Sequence, residues 1–181
     1  MLEFNVSQLL LAPQGTRRHF TFEDEARALR EPMVVGPVRG EVTFTRTQQG
    51  VLADCRFETT LGLECGRCLE PAVVPVSGGF QEEFAQAVDV RTGAPLPEAP
   101  DEDAFTIDAN HYLDLGEAIR QHVLMAAPLQ PLCRPDCRGL CMRCGQNLNE
   151  QTCTCEPSLE DSPFHALHNL LQPTEERTPP A

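Results

Sequence analysis

Residues 133 to 155, CRPDCRGLCMRCGQNLNEQTCTC, hold six of the chain's nine cysteines. So polar a run has too few apolar side chains to build a core of its own, and something must replace the missing burial. A bound metal is the natural substitute. Cys141 and Cys144 form a C-x-x-C followed by Gly145, and Cys153 and Cys155 return as C-x-C after a loop of eight residues. Two close pairs can supply a tetrahedral set of thiolates. A glycine just after the second cysteine lets the backbone turn tightly around an ion, and GQNLNE over 145–150 carries turn-forming Gly and Asn. The expectation is a zinc-ribbon-like knuckle. Disulfides or plain reduced thiols are the competing readings, and an iron–sulfur cluster would use the same four ligands.

Two further pairs extend the pattern. Cys65 and Cys68 form a second C-x-x-C (CGRC), and Cys133 and Cys137 stand just ahead of Cys141 and Cys144. If they meet they make a second four-thiolate site and leave only Cys55 over. The spacing leaves open the swapped arrangement, in which Cys65 and Cys68 join Cys141 and Cys144. Four thiolates around a divalent ion carry a net charge of about −2, which calls for donors nearby. Arg67, Arg134, Arg138 and Arg143 lie between or beside the cysteines. They are expected to offset that charge, with nucleic-acid phosphate contact or plain solvation as the competing readings.

With 181 residues the chain is long enough for a domain with a real core plus appendages. Its net charge is −13, and all 14 basic residues are arginine. Such a surface repels phosphate at long range and attracts basic proteins. The opening MLEFNVSQLLLAPQG has neither a basic leader nor a long apolar run, and no stretch approaches the ~20 apolar residues that span a bilayer. A cytoplasmic location is therefore expected, with no membrane partner. There disulfides are rare, which favours metal.

Outward from the cysteines the pattern turns to strands. Residues 2–6 alternate apolar and polar, Ser7 is positioned to cap a short helical turn before Pro13, and Arg17 to Phe22 return as a strand. Residues 33–85 predict an antiparallel meander. Val42 and Phe44 share a face, as do Val51, Ala53, Cys55 and Phe57, so Cys55 reads as a core residue. Leu61, Leu63 and Cys65 continue that alternation, placing CGRC at a strand end in place of a hairpin turn. Val74 and Val76, then Phe80 and Phe84, predict two further strands. Residues 86–104 are rich in Ala, Pro, Gly and acid and predict a flexible acidic loop.

Residues 113–127, LDLGEAIRQHVLMAA, predict the one long helix, with Asp114 and Glu117 as a capping pair and Leu115, Ile119, Val123 and Ala126 on one face. His122, like His19, reads as a boundary side chain rather than a ligand. Ser162 and Pro163 start a short helix bearing Phe164, Leu167, Leu170 and Leu171, before a terminal tail. The expected class is α+β: a mostly antiparallel, meander or barrel-like sheet with one long helix, a zinc-binding appendage and a short C-terminal helix. The domains would be 1–131, 132–156 and 157–181.

Several of these stretches resemble the YceD family, bacterial and plastid proteins linked to accumulation of large-subunit ribosomal RNA. The resemblance rests on TLGLECGRCLEPAVVPV (60–76), IDANHYLDLGEAIRQHVLMAAPLQPLC (107–133), DCRGLCMRCGQNLN (136–149) and DSPFHALHNLL (161–171), and it covers most of 55–171. It implies a non-enzymatic role in large-subunit rRNA maturation, with a ribosomal protein or pre-ribosomal particle as partner and no small-molecule substrate. Cysteines vary within the family, which suits a structural rather than a catalytic metal, and no catalytic residue carries over.

Two other functions fit parts of the pattern. One is a stand-alone nucleic-acid-binding zinc module, which the acidic charge and the absence of aromatic residues near the knuckles oppose. The other is a thiol redox protein using CGRC, but a redox C-x-x-C normally opens a helix, and this one lies between expected strands.

Overall fold

The computed structural model describes residues 2–29, 31–96 and 104–155. The chain divides into two compact units, Met1–Cys137 and Arg138–Ala181. The cysteine-rich segment 132–156 is thus shared, with Cys133 and Cys137 ending the first unit.

In the first unit an open five-stranded sheet takes the order β2 (Arg17–Asp24), β3 (Val38–Arg46), β4 (Gly50–Glu64), β5 (Pro71–Gln86), β6 (Thr106–Ile107). The first four strands form an antiparallel meander, and β6 runs parallel to the end of β5. The sheet is therefore mixed and open, not barrel-like. A second pair joins β1 (Glu3–Asn5) to β7 (Tyr112–Asp114). Among the described residues the unit also holds two helices, α1 (Ser7–Leu10) and α2 (Gly116–Ala126), and a 3-10 turn over Ala26–Leu29.

Strict alternation drives the meander. Val42 and Phe44 on β3 and Val51, Ala53, Cys55, Phe57 and Leu61 on β4 all lie in the core, while Glu41, Asp54, Arg56 and Glu58 between or beside them are exposed. Each fully buried large apolar side chain contributes about 1.5–3 kcal/mol relative to exposure. One cross-strand row, Phe22, Gly40, Phe57, Gly78, alternates large and small. A Cβ on Gly78 would lie 2.7 Å from Phe57 Cζ, so the ring uses the space that glycine leaves. Nearby, Phe4, Phe20 and Phe44 meet with ring centroids 5.3–5.6 Å apart.

Three expectations need correction. The residues 71–86 form one 16-residue strand rather than two, because every position from Pro71 to Ala85 faces a partner on β4. The long helix is shorter than 113–127. Tyr112–Asp114 is held extended by β1, and the Leu115 amide donates to the Leu2 carbonyl at 2.9 Å, so helix begins only at Gly116 and runs 11 residues. Asp114 Oδ1 still accepts the Gly116 amide at 2.8 Å. Ser7 is the first residue of α1 instead of its cap. Asn5 Oδ1 accepts both its amide and its hydroxyl.

Of the acidic loop, residues 87–96 make a turn around Asp89, whose Oδ1 accepts the amides of Arg91 and Thr92 and the Thr92 hydroxyl. The rest of the loop, 97–103, lies outside the described residues, as do the expected C-terminal helix and tail. Of the expected stripe, Leu115 just ahead of α2 and Ile119 and Val123 within it are buried, and Ala126 is half-buried. His122 is half-buried at its edge, with Nε2 3.2 Å from Glu82 Oε1.

Candidate metal centres

The first knuckle closes the β4–β5 hairpin. Glu64 ends β4 opposite Pro71, and residues 65–70 make the turn between them. The Cys65 amide donates to the Glu70 carbonyl and the Leu69 amide to the Cys65 carbonyl, each at 2.9 Å. The second knuckle repeats this plan. The Cys141 amide donates to the Gln146 carbonyl at 2.8 Å and the Gly145 amide to the Cys141 carbonyl at 2.9 Å. In both turns the residue after the second cysteine takes positive φ: 62° at Leu69 and 71° at Gly145. Such a turn exposes backbone N–H groups to the first sulfur of the pair, which favours its thiolate form.

Around these knuckles the eight sulfurs gather in two tetrads, Cys65, Cys68, Cys133, Cys137 and Cys141, Cys144, Cys153, Cys155. Within each, all four Sγ atoms lie within 4.8 Å of one another, and each tetrad can hold a metal ion. In the first, Cys65 and Cys137 are 3.7 Å apart and Cys68 and Cys133 3.6 Å. A tetrahedral ion with ~2.3 Å bonds to sulfur sets its ligands about 3.8 Å apart. Disulfide sulfurs sit at ~2.05 Å, and no disulfide joins any two cysteines among the described residues. Of the pairings the spacing allows, the sulfurs adopt the one that joins CGRC to Cys133 and Cys137.

The first tetrad is clamped from outside. The Gly66 amide donates to the Pro131 carbonyl at 2.8 Å, and Arg67 Nη1 donates to the Cys137 carbonyl at 2.8 Å. Three of its four cysteines are buried. The second tetrad is more open, with Cys144 exposed. Its loop is held by Asn149 Oδ1, which accepts the Arg138 amide at 2.8 Å, and by the Leu148 amide on the Gly139 carbonyl at 2.9 Å.

Electrostatics divides each tetrad. Backbone amides of Cys133 and Cys68 bring the Cys65 thiol down to about 6, and those of Cys144 and Arg143 bring Cys141 down to about 6. Burial, with Cys68 beside it, pushes Cys133 up to about 12, and Cys144 pushes Cys155 up to about 12. Four sulfurs this close cannot all ionise without a cation between them. Cys55 lies apart from both sites, in the core, where burial and then the Asp54 carboxylate push its thiol up to about 12.

The four arginines divide as well. Arg67 grips the first site, Arg134 Nε lies 3.6 Å from Asp136 Oδ1, Arg138 is tied by its amide, and Arg143 offers its amide to Cys141. Sequence reasoning missed Leu69 and Asn149. Aligning CGRCLE with CMRCGQ would have placed Leu69 on the left-handed position. Asn149 had no local signal, since its partner lies eleven residues back.

Comparison with known proteins shows the family. The family model described as large ribosomal RNA subunit accumulation protein YceD matches residues 53–171. A Zea mays protein, named large ribosomal RNA subunit accumulation protein YCED homolog 1, chloroplastic, is 32% identical over 144 residues, 67% of this chain and 49% of its own. The Arabidopsis thaliana protein of the same name is 25% identical over 162 residues, 78% of this chain and 50% of its own. A Mycobacterium tuberculosis protein is 35% identical over 97 residues, 54% of this chain and 44% of its own. This chain spans about half the length of the curated relatives it matches. No solved structure matches it. With the family match spanning both knuckles, the chain belongs to the YceD family of large ribosomal RNA subunit accumulation proteins.

Proposed function

We propose that this protein is a non-enzymatic factor that supports accumulation of large-subunit ribosomal RNA during ribosome assembly, and that each cysteine tetrad holds one structural zinc ion. The observation that carries the zinc reading is closure: each tetrad presents four protein sulfurs to one point. Structural zinc sites are filled in this way, whereas catalytic sites keep a position for water or substrate. Zinc has no redox chemistry here and would neutralise converging thiolates, so that knuckles poor in apolar side chains hold their shape. Cys65, Cys68, Cys133 and Cys137 would hold one ion, and Cys141, Cys144, Cys153 and Cys155 the other. Arg67, Arg134, Arg138 and Arg143 would offset the excess negative charge.

The assembly role draws on the names of the plant relatives, which are proteins of large ribosomal RNA subunit accumulation. The net charge of −13 supports a basic ribosomal protein or a pre-ribosomal particle as partner over direct docking on RNA. The thiol redox reading is weakened because CGRC joins two antiparallel strands and faces two more cysteines. No helix among the described residues is long and apolar enough to cross a membrane. We assign the cytoplasm, where reduced thiols persist. The plant relatives are named chloroplastic.

Deletion of the gene followed by quantification of precursor and mature large-subunit rRNA tests the role. Loss of the mature species is expected, and normal levels across growth conditions would remove the assignment. Elemental analysis of purified protein should find two zinc ions per chain; iron, or none, would overturn the metal reading.

A further inference from the structure

Among the described residues the sheet has an unfinished edge. Along β5 the even-numbered residues bond to β4, as the Gln86 amide on the Gln49 carbonyl (3.0 Å) fixes the parity. The odd-numbered residues face away, as the Ala85 amide on the Phe105 carbonyl (2.8 Å) demonstrates. Among the described residues β6 covers only Ala85 and Gln86. The outward amides of Ser77, Gly79, Gln81 and Glu83 therefore line an open edge, and all four residues are exposed.

The same edge is treated differently at its two ends. Pro71 and Pro75 occupy outward-facing odd positions, where proline has no N–H to offer and blocks strand addition. Beyond Pro75 that protection stops. Ser77–Glu83 has no proline, and it carries Glu82 and Glu83 with no arginine anywhere in β5, the nearby cation being Arg56 of β4 over Gly79. Carboxylates here repel a second copy of the same edge and attract a cationic one. Glu82 Oε1 lies 3.2 Å from His122 Nε2 and Glu83 Oε1 accepts the Thr47 hydroxyl, so the two carboxylates are held on opposite faces of β5, beside its edge.

We propose that the β5 edge from Ser77 to Glu83 binds an extended arginine- or lysine-rich segment of a partner protein as an added strand. This rests on the assembly reading above and specifies its partner: a basic protein presenting an extended arm. The odd-numbered amides and carbonyls of β5 supply the ladder, and Glu82 and Glu83 supply the preference for positive charge.

Residue-resolved amide exchange on the full zinc-loaded chain tests this, with RNA-free large-subunit ribosomal proteins as probe. Alone, the amides of Ser77, Gly79, Gln81 and Glu83 should exchange fast while their even neighbours are protected. On addition of the probe the odd set should slow by about tenfold or more. Gln81→Pro repeats the native Pro75 device and keeps the β4 ladder, so it should weaken binding about tenfold. Gln81→Ala, which retains the N–H, should bind as wild type. Ser77→Pro serves the same purpose if Gln81→Pro melts early.

Unchanged odd amides on addition of the probe would overturn the proposal. So would odd amides already protected in the free chain: protection growing with protein concentration assigns the edge to a second copy, and concentration-independent protection to another segment of the same chain. In a deletion strain, Gln81→Pro should fail to restore mature rRNA where Gln81→Ala succeeds. Full rescue by Gln81→Pro would sink the edge proposal alone. A deletion strain with normal rRNA would sink the assembly reading, while the exchange data would still judge the edge.

Discussion

Leu69 holds φ at 62° in the first knuckle at the place where Gly145 holds 71° in the second. A non-glycine residue in that region costs ~1–2 kcal/mol. Leu69 recovers little of this by burial, since 63% of it is exposed. Leu69→Gly should therefore tighten metal binding or raise stability by about 1 kcal/mol. Gly145→Ala should do the reverse by a similar amount, because a Cβ there meets nothing within 4 Å and only the backbone is strained. Chelator competition on both variants checks this; weaker binding by Leu69→Gly would contradict the equivalence of the two turns.

The two tetrads should respond differently to loss of one ligand. Cys65 closes the hairpin between the two longest strands, so Cys65→Ser should destabilise the sheet by about 3 kcal/mol or more. Cys144 belongs to the second unit. Cys144→Ser should remove one zinc and leave the sheet's unfolding midpoint within about 0.5 kcal/mol. Differential scanning calorimetry with metal analysis distinguishes them, and an equal loss in both would show the assignment of ligands to be wrong.

Alkylation should sort the nine thiols into two classes. Eight should react only after a chelator strips the metal. Cys55, fully buried with its thiol pushed up to about 12, should react only when the sheet unfolds. Adduct counting by mass spectrometry before and after chelation gives the answer directly. Early labelling of Cys55 would mean that β4 is misassigned.

His122 lies flat on Phe80, with ring centroids 4.6 Å apart and planes 9° from parallel. Removing that stack by His122→Ala should cost about 1–2 kcal/mol. His122→Phe, which keeps the stack and loses only the contact with Glu82, should cost less than half as much. Urea midpoints of the two variants measure the difference. Equal losses would assign the stabilisation to the contact with Glu82.

Acid should expose a surface contribution from α2. Arg120 donates to both carboxylate oxygens of Glu117 and, with Gln121, holds its carboxyl down to about 2 from 4.5. A depressed carboxylate stabilises the folded state above its unfolded value and loses that contribution as pH falls toward its folded one. The stability difference between wild type and Glu117→Gln should therefore be constant above about pH 5 and be lost as pH falls through about 2, remaining below ~1 kcal/mol because the Glu117 carboxylate is solvent-exposed. Urea titrations at four pH values check it, and a difference that grew in acid would reverse the sign.

What sequence determined here was local. Alternation placed Val42, Phe44, Val51, Ala53, Cys55 and Phe57 on one buried face, and C-x-x-C spacing marked both knuckles, because side-chain period and turn chemistry are properties of a few consecutive residues. Tertiary structure decided what depended on distant partners. Cys65 meets Cys137 across 72 residues, Tyr112 is a strand residue because Asn5 pairs with it, and β5 stays unbroken because β4 matches it position by position. The open edge at Ser77–Glu83 belongs to the same class. Which amides lack a neighbour is set by the register of the whole sheet, and no short stretch of sequence carries that information.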